Sequence, residues 1–512
     1  MRSLITTISL IIMLFVNIIL QAQTFTDIRA GLTGVAESSS KWINPDRDGD
    51  PDVMAAGEFF NGNNRKLQTY LYRNQRNDKF TAIGHNIPAF YRGDFDLADF
   101  NLDGIDDLFA MGELSDGKRM AKIFVGNSSG GFTTSNQAFE GLRDGAVALA
   151  DYDGDGDTDI LITGESSNGP KTLLYRNDRT NGFKLIETGI TNLRRGDACW
   201  ADVNIDGRPD LIITGIDENG QATSLLYRNT NEGFIREAAG FIPLKNSSIA
   251  AADADNDGDP DILLMGELNN GQLVSRLYRN DRRQGFAPVL APFIAIRAGF
   301  ADWADMDGDG DMDLVISGET SSGAASKVYR NDRHQGFTDI EAGLIPLYMS
   351  DGQWGDYDLD GDRDILISGM ATDFSFHTRI YRNDGILQTS QSAATADAEE
   401  PAEDIWNNQT VVPERRVPIY YFVYSSTYSD LLGTGTKGYF AFISPIKKPK
   451  AAYEMEDIFN PLIRQTYPRW GVIDQGNIIT NGYHTLQEAQ TARNTVIEAY
   501  QAKNFQIIEV NW

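Results

Sequence analysis

Asp151-Tyr152-Asp153-Gly154-Asp155-Gly156-Asp157-Thr158-Asp159, followed at once by Ile160-Leu161-Ile162-Thr163-Gly164, is the stretch on which the fold turns. Five aspartates and two glycines fall in nine residues, and a β-branched run follows. The same frame starts again at Asn44, Asp99, Asp202, Asp253, Asp305 and Asp356, so that seven copies stand 55, 52, 51, 51, 52 and 51 residues apart. So regular a period is the mark of a repeat architecture. Each period has one internal order. A short apolar stretch such as Ala198-Cys199-Trp200-Ala201 enters the acidic loop, and a run such as Leu211-Ile212-Ile213-Thr214-Gly215 leaves it. A polar turn, a Leu-Tyr-Arg-Asn strand (Leu226 to Asn229) and a Gly-Phe strand start (Gly233-Phe234) complete it. Four short strands separated by Gly, Asn and Asp turns make the blade of a β-propeller.

The chain ends indicate how the ring closes. The last period stops at Tyr381-Arg382-Asn383-Asp384-Gly385 without its Gly-Phe strand. Near the start, Thr24-Phe25-Thr26-Asp27-Ile28-Arg29-Ala30-Gly31-Leu32 matches Phe337-Thr338-Asp339-Ile340-Glu341-Ala342-Gly343-Leu344 of the sixth period. The missing outer strand of the seventh blade is therefore expected at the N-terminus, where pairing removes an open sheet edge. The fold class is mainly β: a seven-bladed propeller closed by an N-terminal strand, over residues 23–385. Residues 386–404, rich in Ser, Ala, Gln and Glu, read as a linker. Residues 405–512 carry no acidic loop and read as a small α+β domain, with strands at Ile419 to Tyr424, Tyr439 to Ile443 and Phe505 to Val510. Helices are expected at Glu454 to Thr466 and Thr485 to Ala502. This order resembles the ferredoxin-like arrangement and, without any diagnostic residue, peptidoglycan-binding cell-division modules.

Residues 1–22 read as an export signal: Arg2, the mostly apolar run from Leu4 to Leu20, and cleavage after Ala22. An uncleaved anchor is the alternative. Cys199 is the single cysteine, so there is no disulfide framework. The expected location is secreted, periplasmic or cell-surface, with no membrane span after the signal is removed. The formal net charge of −28 speaks against nucleic acid as a partner.

Positions 1, 3, 5 and 9 of the repeat are Asp or Asn in all seven copies, and position 6 is glycine throughout. Oxygen ligands at alternate positions around a sharp turn suit calcium, which takes six to eight of them. The position-7 backbone carbonyl completes each set. The first two blades offer Asn44, Asp46, Asp48, Asp50 and Asp52, then Asp99, Asn101, Asp103, Ile105 and Asp107. The third and fourth offer Asp151, Asp153, Asp155, Asp157 and Asp159, then Asp202, Asn204, Asp206, Arg208 and Asp210. The fifth and sixth offer Asp253, Asp255, Asp257, Asp259 and Asp261, then Asp305, Asp307, Asp309, Asp311 and Asp313. The seventh offers Asp356, Asp358, Asp360, Asp362 and Asp364. Up to seven Ca²⁺ ions are expected. Four histidines and one cysteine cannot build seven zinc sites. Acidic Asx-turns without metal are the plainer alternative, but so many like charges in nine residues repel strongly without a cation.

With these loops and Gly-Phe starts in view, residues 24–385 resemble the FG-GAP-like or VCBS repeats, relatives of the integrin α propeller. The resemblance implies calcium on one face of the disc, between the first two strands of each blade. Integrin propellers carry such loops in only some blades, so integrin ligand specificity does not transfer.

No catalytic constellation is visible, so a binding protein rather than an enzyme is expected. His85, His334, His377 and His484 fall in unrelated places, and Cys199 stands where neighbouring blades have Ala148 and Ala250. Arg92-Gly93-Asp94 and Arg195-Gly196-Asp197 occupy the same place in two repeats, which common descent explains more simply than cell adhesion. Eight residues before each loop stand Ala36, Tyr91, Arg143, Arg194, Lys245, Arg297 and Tyr348. Four successive cations flanked by tyrosines are expected to ring the channel mouth opposite the calcium loops, unless each pairs with a local acid. The leading function is an exported binding or adhesion module for an extracellular glycan or protein, with an anionic glycan suggested by that ring. A propeller-type polysaccharide lyase and a structural subunit of a surface or secretion complex are the alternatives.

Overall fold

The computed structural model describes residues 23–37, 39–61, 64–282, 285–333, 336–386, 423–429, 438–444, 446, 475–479, 486–502 and 505–509. The export signal, the linker beyond Ile386, the helix expected at 454–466, His334 and His484 lie outside them.

Residues 23–386 form seven four-stranded antiparallel sheets. Blade 3 shows the pattern: inner strand Val147–Ala150, second strand Asp159–Ser166, third strand Gly169–Asn177 and outer strand Phe183–Ile186. In every blade the ninth loop residue, an aspartate, opens the second strand. In blade 7 the outer strand is Gln23–Asp27, which pairs antiparallel with Phe376–Ile386 in the register Phe25 opposite Asn383 and Asp27 opposite Tyr381. The ring therefore closes as the match between the chain start and the sixth period predicts.

The β-branched second strands are buried on both faces, as Ile160, Leu161 and Ile162 show at 0% exposure. Alternate side chains go to opposite neighbours: Ile160 and Ile162 join residues of blade 2, whereas Leu161 joins residues of blade 4. Seven apolar clusters result, one between each pair of adjacent blades. No blade owns a core of its own, which is why the repeat is stable only as a ring.

Polar staples reinforce the stack. The Tyr of each Tyr-Arg-Asn strand accepts a bond from the connector that enters its own blade from the preceding one, as Tyr175 Oη does from Glu140 N at 3.0 Å and Tyr227 Oη from Thr191 N at 3.0 Å. The Asn reaches the blade before it: Asn177 Nδ2 donates to Phe100 O at 2.9 Å, Asn280 Nδ2 to Val203 O at 2.8 Å and Asn74 Nδ2 across the closure to Tyr357 O at 2.8 Å. Blade 2 lacks both devices, because Phe124 and Gly126 replace the Tyr and the Asn.

The second unit, residues 409–512, contains the sheet order 475–479, 423–429, 438–443, 506–509, with only the last pair parallel. Its helix, Leu486–Ala502, and last strand, Gln506–Glu509, fall where expected, and Val423–Ser429 is a strand that overlaps the end of the one expected at Ile419 to Tyr424. Its described strands and helix make it α+β.

Candidate metal centres and the channel mouth

Each acidic loop wraps its own carboxylates around backbone N–H groups. In blade 3, Asp151 accepts from Gly154 N, Asp155 N and Gly156 N at 2.8, 3.1 and 2.8 Å, and Asp155 accepts from Asp157 N at 3.0 Å. Asp159 holds the loop to the sheet, since its Oδ1 accepts from Asn177 N at 2.8 Å. The same bond recurs in all seven blades, with Gly126 N donating to Asp107 in blade 2. In blades 3, 5, 6 and 7 the other oxygen of position 9 accepts from the backbone N–H of position 2, as Asp159 Oδ2 does from Tyr152 N at 3.1 Å, whereas in blade 4 Asp210 Oδ2 pairs with Arg228 at 2.8 Å.

Ligand atoms converge. Three carboxylates come within 4.8 Å of one another in four loops: Asp151, Asp153 and Asp159; Asp253, Asp255 and Asp261; Asp305, Asp307 and Asp313; Asp356, Asp358 and Asp360. Blades 1, 2 and 4 substitute one asparagine each, at Asn44, Asn101 and Asn204. In blade 1, Asn44 Oδ1 and Asp52 Oδ2 are buried with no hydrogen-bond partner, an arrangement a cation would satisfy. Burial, with the neighbouring carboxylates adding to it, pushes Asp52 and Asp159 up to about 7 and Asp261, Asp313 and Asp364 up to about 8. Clusters that resist ionisation alone are built to share a positive charge, and these loops can hold metal ions.

The position-7 side chains point elsewhere. Asp50 pairs with Arg76 at 2.7 Å, Asp157 with Arg179 at 2.6 Å, Asp311 with Arg333 at 2.5 Å, and Asp259 with Arg282. This leaves the position-7 carbonyl for an ion, as the repeat frame suggests. Blade 4 reverses the pair: Arg208 stands in the loop and donates to Asn231 Oδ1 at 3.2 Å. Covariation between position 7 and the residue two after the Tyr-Arg-Asn motif was the available signal, and sequence reasoning passed over it.

At the other end of the inner strands the expected cation ring is not formed. Arg143 is ion-paired with Glu113, whose other oxygen accepts from Tyr91 Oη at 2.6 Å. Arg194 lies 3.0 Å from Glu165, at an angle too bent for a hydrogen bond, and Lys245 lies 3.2 Å from Glu267. Arg297 bridges Glu267 at 2.8 Å and Glu319 at 2.7 Å. Ala36 is buried, and of these seven positions only Tyr91 lines the channel. The reason is local. The next residue in each blade, Glu37, Arg92, Asp144, Arg195, Asn246, Ala298 or Met349, has φ between +44° and +55°. That bulge turns it into the cavity in every blade, and its predecessor only in blade 2, at Tyr91. The bulges are tied in series: Asp144 N donates to Arg92 O at 2.7 Å, Arg195 N to Asp144 O at 2.6 Å and Asn246 N to Arg195 O at 2.6 Å.

The cavity they open measures about 800 Å³. Arg92 pairs with Asp144 at 2.6 Å, whereas Arg195 is exposed and has no ion pair among the described residues. Deeper in, Lys41 meets Asp96 at 3.4 Å and Asp94 at 3.9 Å. Burial lifts Asp197 to about 7 and Asp302 and Asp351 to about 6. Asp197 and Asp302 spend both oxygens on backbone: Asp197 on Ala198 N and Ile249 N, each at 2.8 Å, and Asp302 on Trp303 N and Trp354 N at 3.0 and 2.9 Å.

The two Arg-Gly-Asp tripeptides are parts of this bulge. A Cβ on Gly93 or Gly196 would lie 2.0 Å from Met111 O or 1.9 Å from Thr214 O, so glycine is required by the close approach of the second strand. Their aspartates cap the neighbouring blade, as Asp94 does by accepting from Val147 N at 2.9 Å. Cys199 packs in a core cluster, and burial pushes its thiol up to about 12. His85 bonds to Thr69 O at 3.0 Å, and His377 contacts Ser375 and Arg379.

A ring of seven blades with an acidic loop at the end of each inner strand defines a class of repeat propeller. The chain is an FG-GAP-like propeller: the FG-GAP-like repeat is matched at residues 99–162, 151–213, 202–264 and 305–367. It is 28% identical over 182 residues to cartilage acidic protein 1 of Xenopus tropicalis, covering 32% of this chain and only 28% of that protein. Among solved structures it is similar to AofleA of Arthrobotrys oligospora, at 12% identity and a TM-score of 0.37, over 59% of this chain and 85% of that one. It is also similar to an Aleuria aurantia lectin mutant in complex with α-methyl-L-fucoside, at 10% identity and a TM-score of 0.35, over 59% and 98%. Among the described residues no helix is long and apolar enough to cross a membrane.

Proposed function

We propose that the protein is an exported, calcium-loaded binding propeller that holds a carbohydrate ligand at the channel mouth, on the face opposite its metal loops. Calcium is the ion chosen because every donor is an oxygen, in a loop whose turn repeats the spacing of calcium sites. The observation that carries the binding role is the mouth itself. It is a concave opening in which unpaired Arg195 stands near Glu37, Asn246 and the Arg92–Asp144 pair. Convergent polar groups in a preformed cavity are the usual form of a small-ligand site.

The ligand class differs from the anionic glycan that a cation ring would select. Arg143, Arg194, Lys245 and Arg297 are neutralised by their partners, and carboxylates and guanidinium groups alternate at the mouth. A polyanion would meet Glu37 and Asp144 as well as Arg195, whereas sugar hydroxyls hydrogen-bond to both kinds of group. Cleavage is not part of this reading: both oxygens of Asp197 and Asp302 are occupied by backbone N–H groups, and Asp351 accepts from Ser39 Oγ at 2.9 Å and Ser40 N at 2.7 Å.

The test is an array of neutral, uronic-acid and sulfated oligosaccharides probed with the full calcium-loaded chain and read for both retention and product release. Retention of neutral sugars without product is expected. Product release would make the protein an enzyme, and no retention of any sugar would overturn the carbohydrate reading. Export is checked by the N-terminus of protein recovered outside the cell, expected at Gln23.

A further inference from the structure

We propose that blades 7 and 1 carry an aromatic lip on the channel-mouth face, led by Phe374, that stacks on the ring of a neutral sugar; this rests on the carbohydrate reading above. In blades 2, 4, 5 and 7 the turn between the second and third strands closes with the same two backbone bonds. In blade 2, Gly117 N donates to Leu114 O at 2.9 Å and Leu114 N to Lys118 O at 2.8 Å. In blade 7, Phe374 N donates to Ala371 O at 3.0 Å and Ala371 N to Ser375 O at 2.8 Å. The fourth residue of this turn is Gly117, Gly220 or Gly271 in three blades, with φ of +80°, +77° and +88°. In blade 7 it is Phe374, at φ +65° and 75% exposed.

A side chain in a glycine slot strains the backbone, and a phenylalanine left in water adds nothing to the core. Both effects oppose stability, so the residue is explained by something outside the fold. Its neighbour points the same way. The second strand of blade 1, Asp52–Asn61, runs ten residues where those of the other blades run seven or eight. The extension carries Phe60, 49% exposed, with its ring 5.7 Å from that of Phe376 in blade 7. On the return strand the Arg65 guanidinium lies 4.0 Å from the centre of the Tyr91 ring, which lines the cavity. These turns belong to the mouth face, because the bulged start of each inner strand pairs with the end of the second strand, as Tyr348 does with Met370.

Two exposed phenylalanines are far too few for a stable protein interface, which takes about 800 Å² from each partner. They do match the apolar C–H face of a pyranose, while Arg195, Glu37 and Asn246 in the cavity serve the hydroxyls of other sugars in the same oligosaccharide.

The experiment compares the full calcium-loaded chain with Phe374→Gly and Phe60→Ser on the same oligosaccharide array and in thermal melts. Phe374→Gly is expected to bind a retained neutral sugar at least about tenfold more weakly while melting about 1–2 °C higher, because the strain is gone. That pairing, weaker binding in a more stable protein, is not what a structural role produces. If the wild type retains a sugar and Phe374→Gly retains it equally, the lip is wrong and the carbohydrate reading stands. If the wild type retains none, both fall. If Phe374→Gly changes only the sedimentation coefficient, the lip is a contact between copies and the inference is overturned.

Discussion

At one end of the inner strands all seven blades present much the same chemistry; at the other end, seven residues before the loop, no two neighbouring blades carry the same residue. The loop end repeats carboxylates, a glycine and one anchoring bond from position 9 to the third strand. The mouth end runs Glu37, Arg92, Asp144, Arg195, Asn246, Ala298, Met349 around one shared bulge. Both ends keep their backbone constant. Only the mouth varies its side chains, and variation on a fixed frame is how a repeat protein builds one asymmetric site from identical parts.

The largest expected effect belongs to the loop end. Extracellular calcium sites bind at about 10⁻⁴–10⁻³ M, which at 1 mM calcium is worth about 0.4–1.4 kcal/mol each, or about 3–10 kcal/mol over seven. For a propeller of this size, stripping calcium is expected to lower the Tm by roughly 4–13 °C, with recovery on adding it back. A melting curve indifferent to chelator would remove the metal assignment altogether.

That contrast also explains what could be read from the residues alone. The blades, their number and their closure were legible because seven copies average out every local ambiguity, and Thr24 to Leu32 matches an internal strand. The acidic loops were legible for the same reason. The mouth was misplaced by one residue, since the spacing before the loop singled out Arg194, whereas the bulge turns Arg195 into the cavity. A left-handed residue before Gly196 makes that bulge. Glycines at Gly93, Gly145, Gly196 and Gly299, six residues before their loops, were the visible trace of the bulge, but their meaning depends on the backbone of the second strand. The role of the Asn in Tyr-Arg-Asn needed three dimensions too, because its partner is 77 residues away in another blade.

The loop end is also expected to respond to pH in an unusual direction. Burial holds Asp52 and Asp159 near 7 and Asp261, Asp313 and Asp364 near 8, all above the unfolded value of about 3.9. Between those limits the folded chain binds more protons than the unfolded one, so stability falls as pH rises. Protein freed of calcium by dialysis is expected to melt several degrees higher at pH 5 than at pH 8. Saturating calcium, which stabilises the ionised carboxylates, is expected to shrink or reverse the difference. The opposite slope without metal would mean that the loops are not the dominant titrating groups.

A smaller effect tests the links between blades. Asn280→Ala removes the bonds to Val203 O at 2.8 Å and Pro260 O at 3.3 Å and leaves buried carbonyls unpaired. The expected loss is about 1–3 kcal/mol, or roughly 1–4 °C. No loss would show that this staple is dispensable, as it is between blades 1 and 2, where Gly126 replaces the asparagine.

The smallest expected effect separates two adjacent arginines. Arg194 faces Glu165 in a partly exposed ion pair, worth about 0–1 kcal/mol, and Arg195 faces the cavity with no ion pair. Arg194→Ala is therefore expected to lower the Tm by about 1 °C or less and to leave sugar retention unchanged. Arg195→Ala is expected to leave the Tm where it was, since its backbone N–H still bonds to Asp144 O, and to weaken retention. Charge alone cannot distinguish the two variants, because each removes one cation from the same strand start, and salt-dependent steering would treat them alike. Only the bulge does so, by turning one arginine toward its neighbour's carboxylate and the next toward the ligand. If the two variants exchange outcomes, Arg194 reaches the ligand and the cation ring holds after all; if they behave alike, the mouth acts only as a diffuse field.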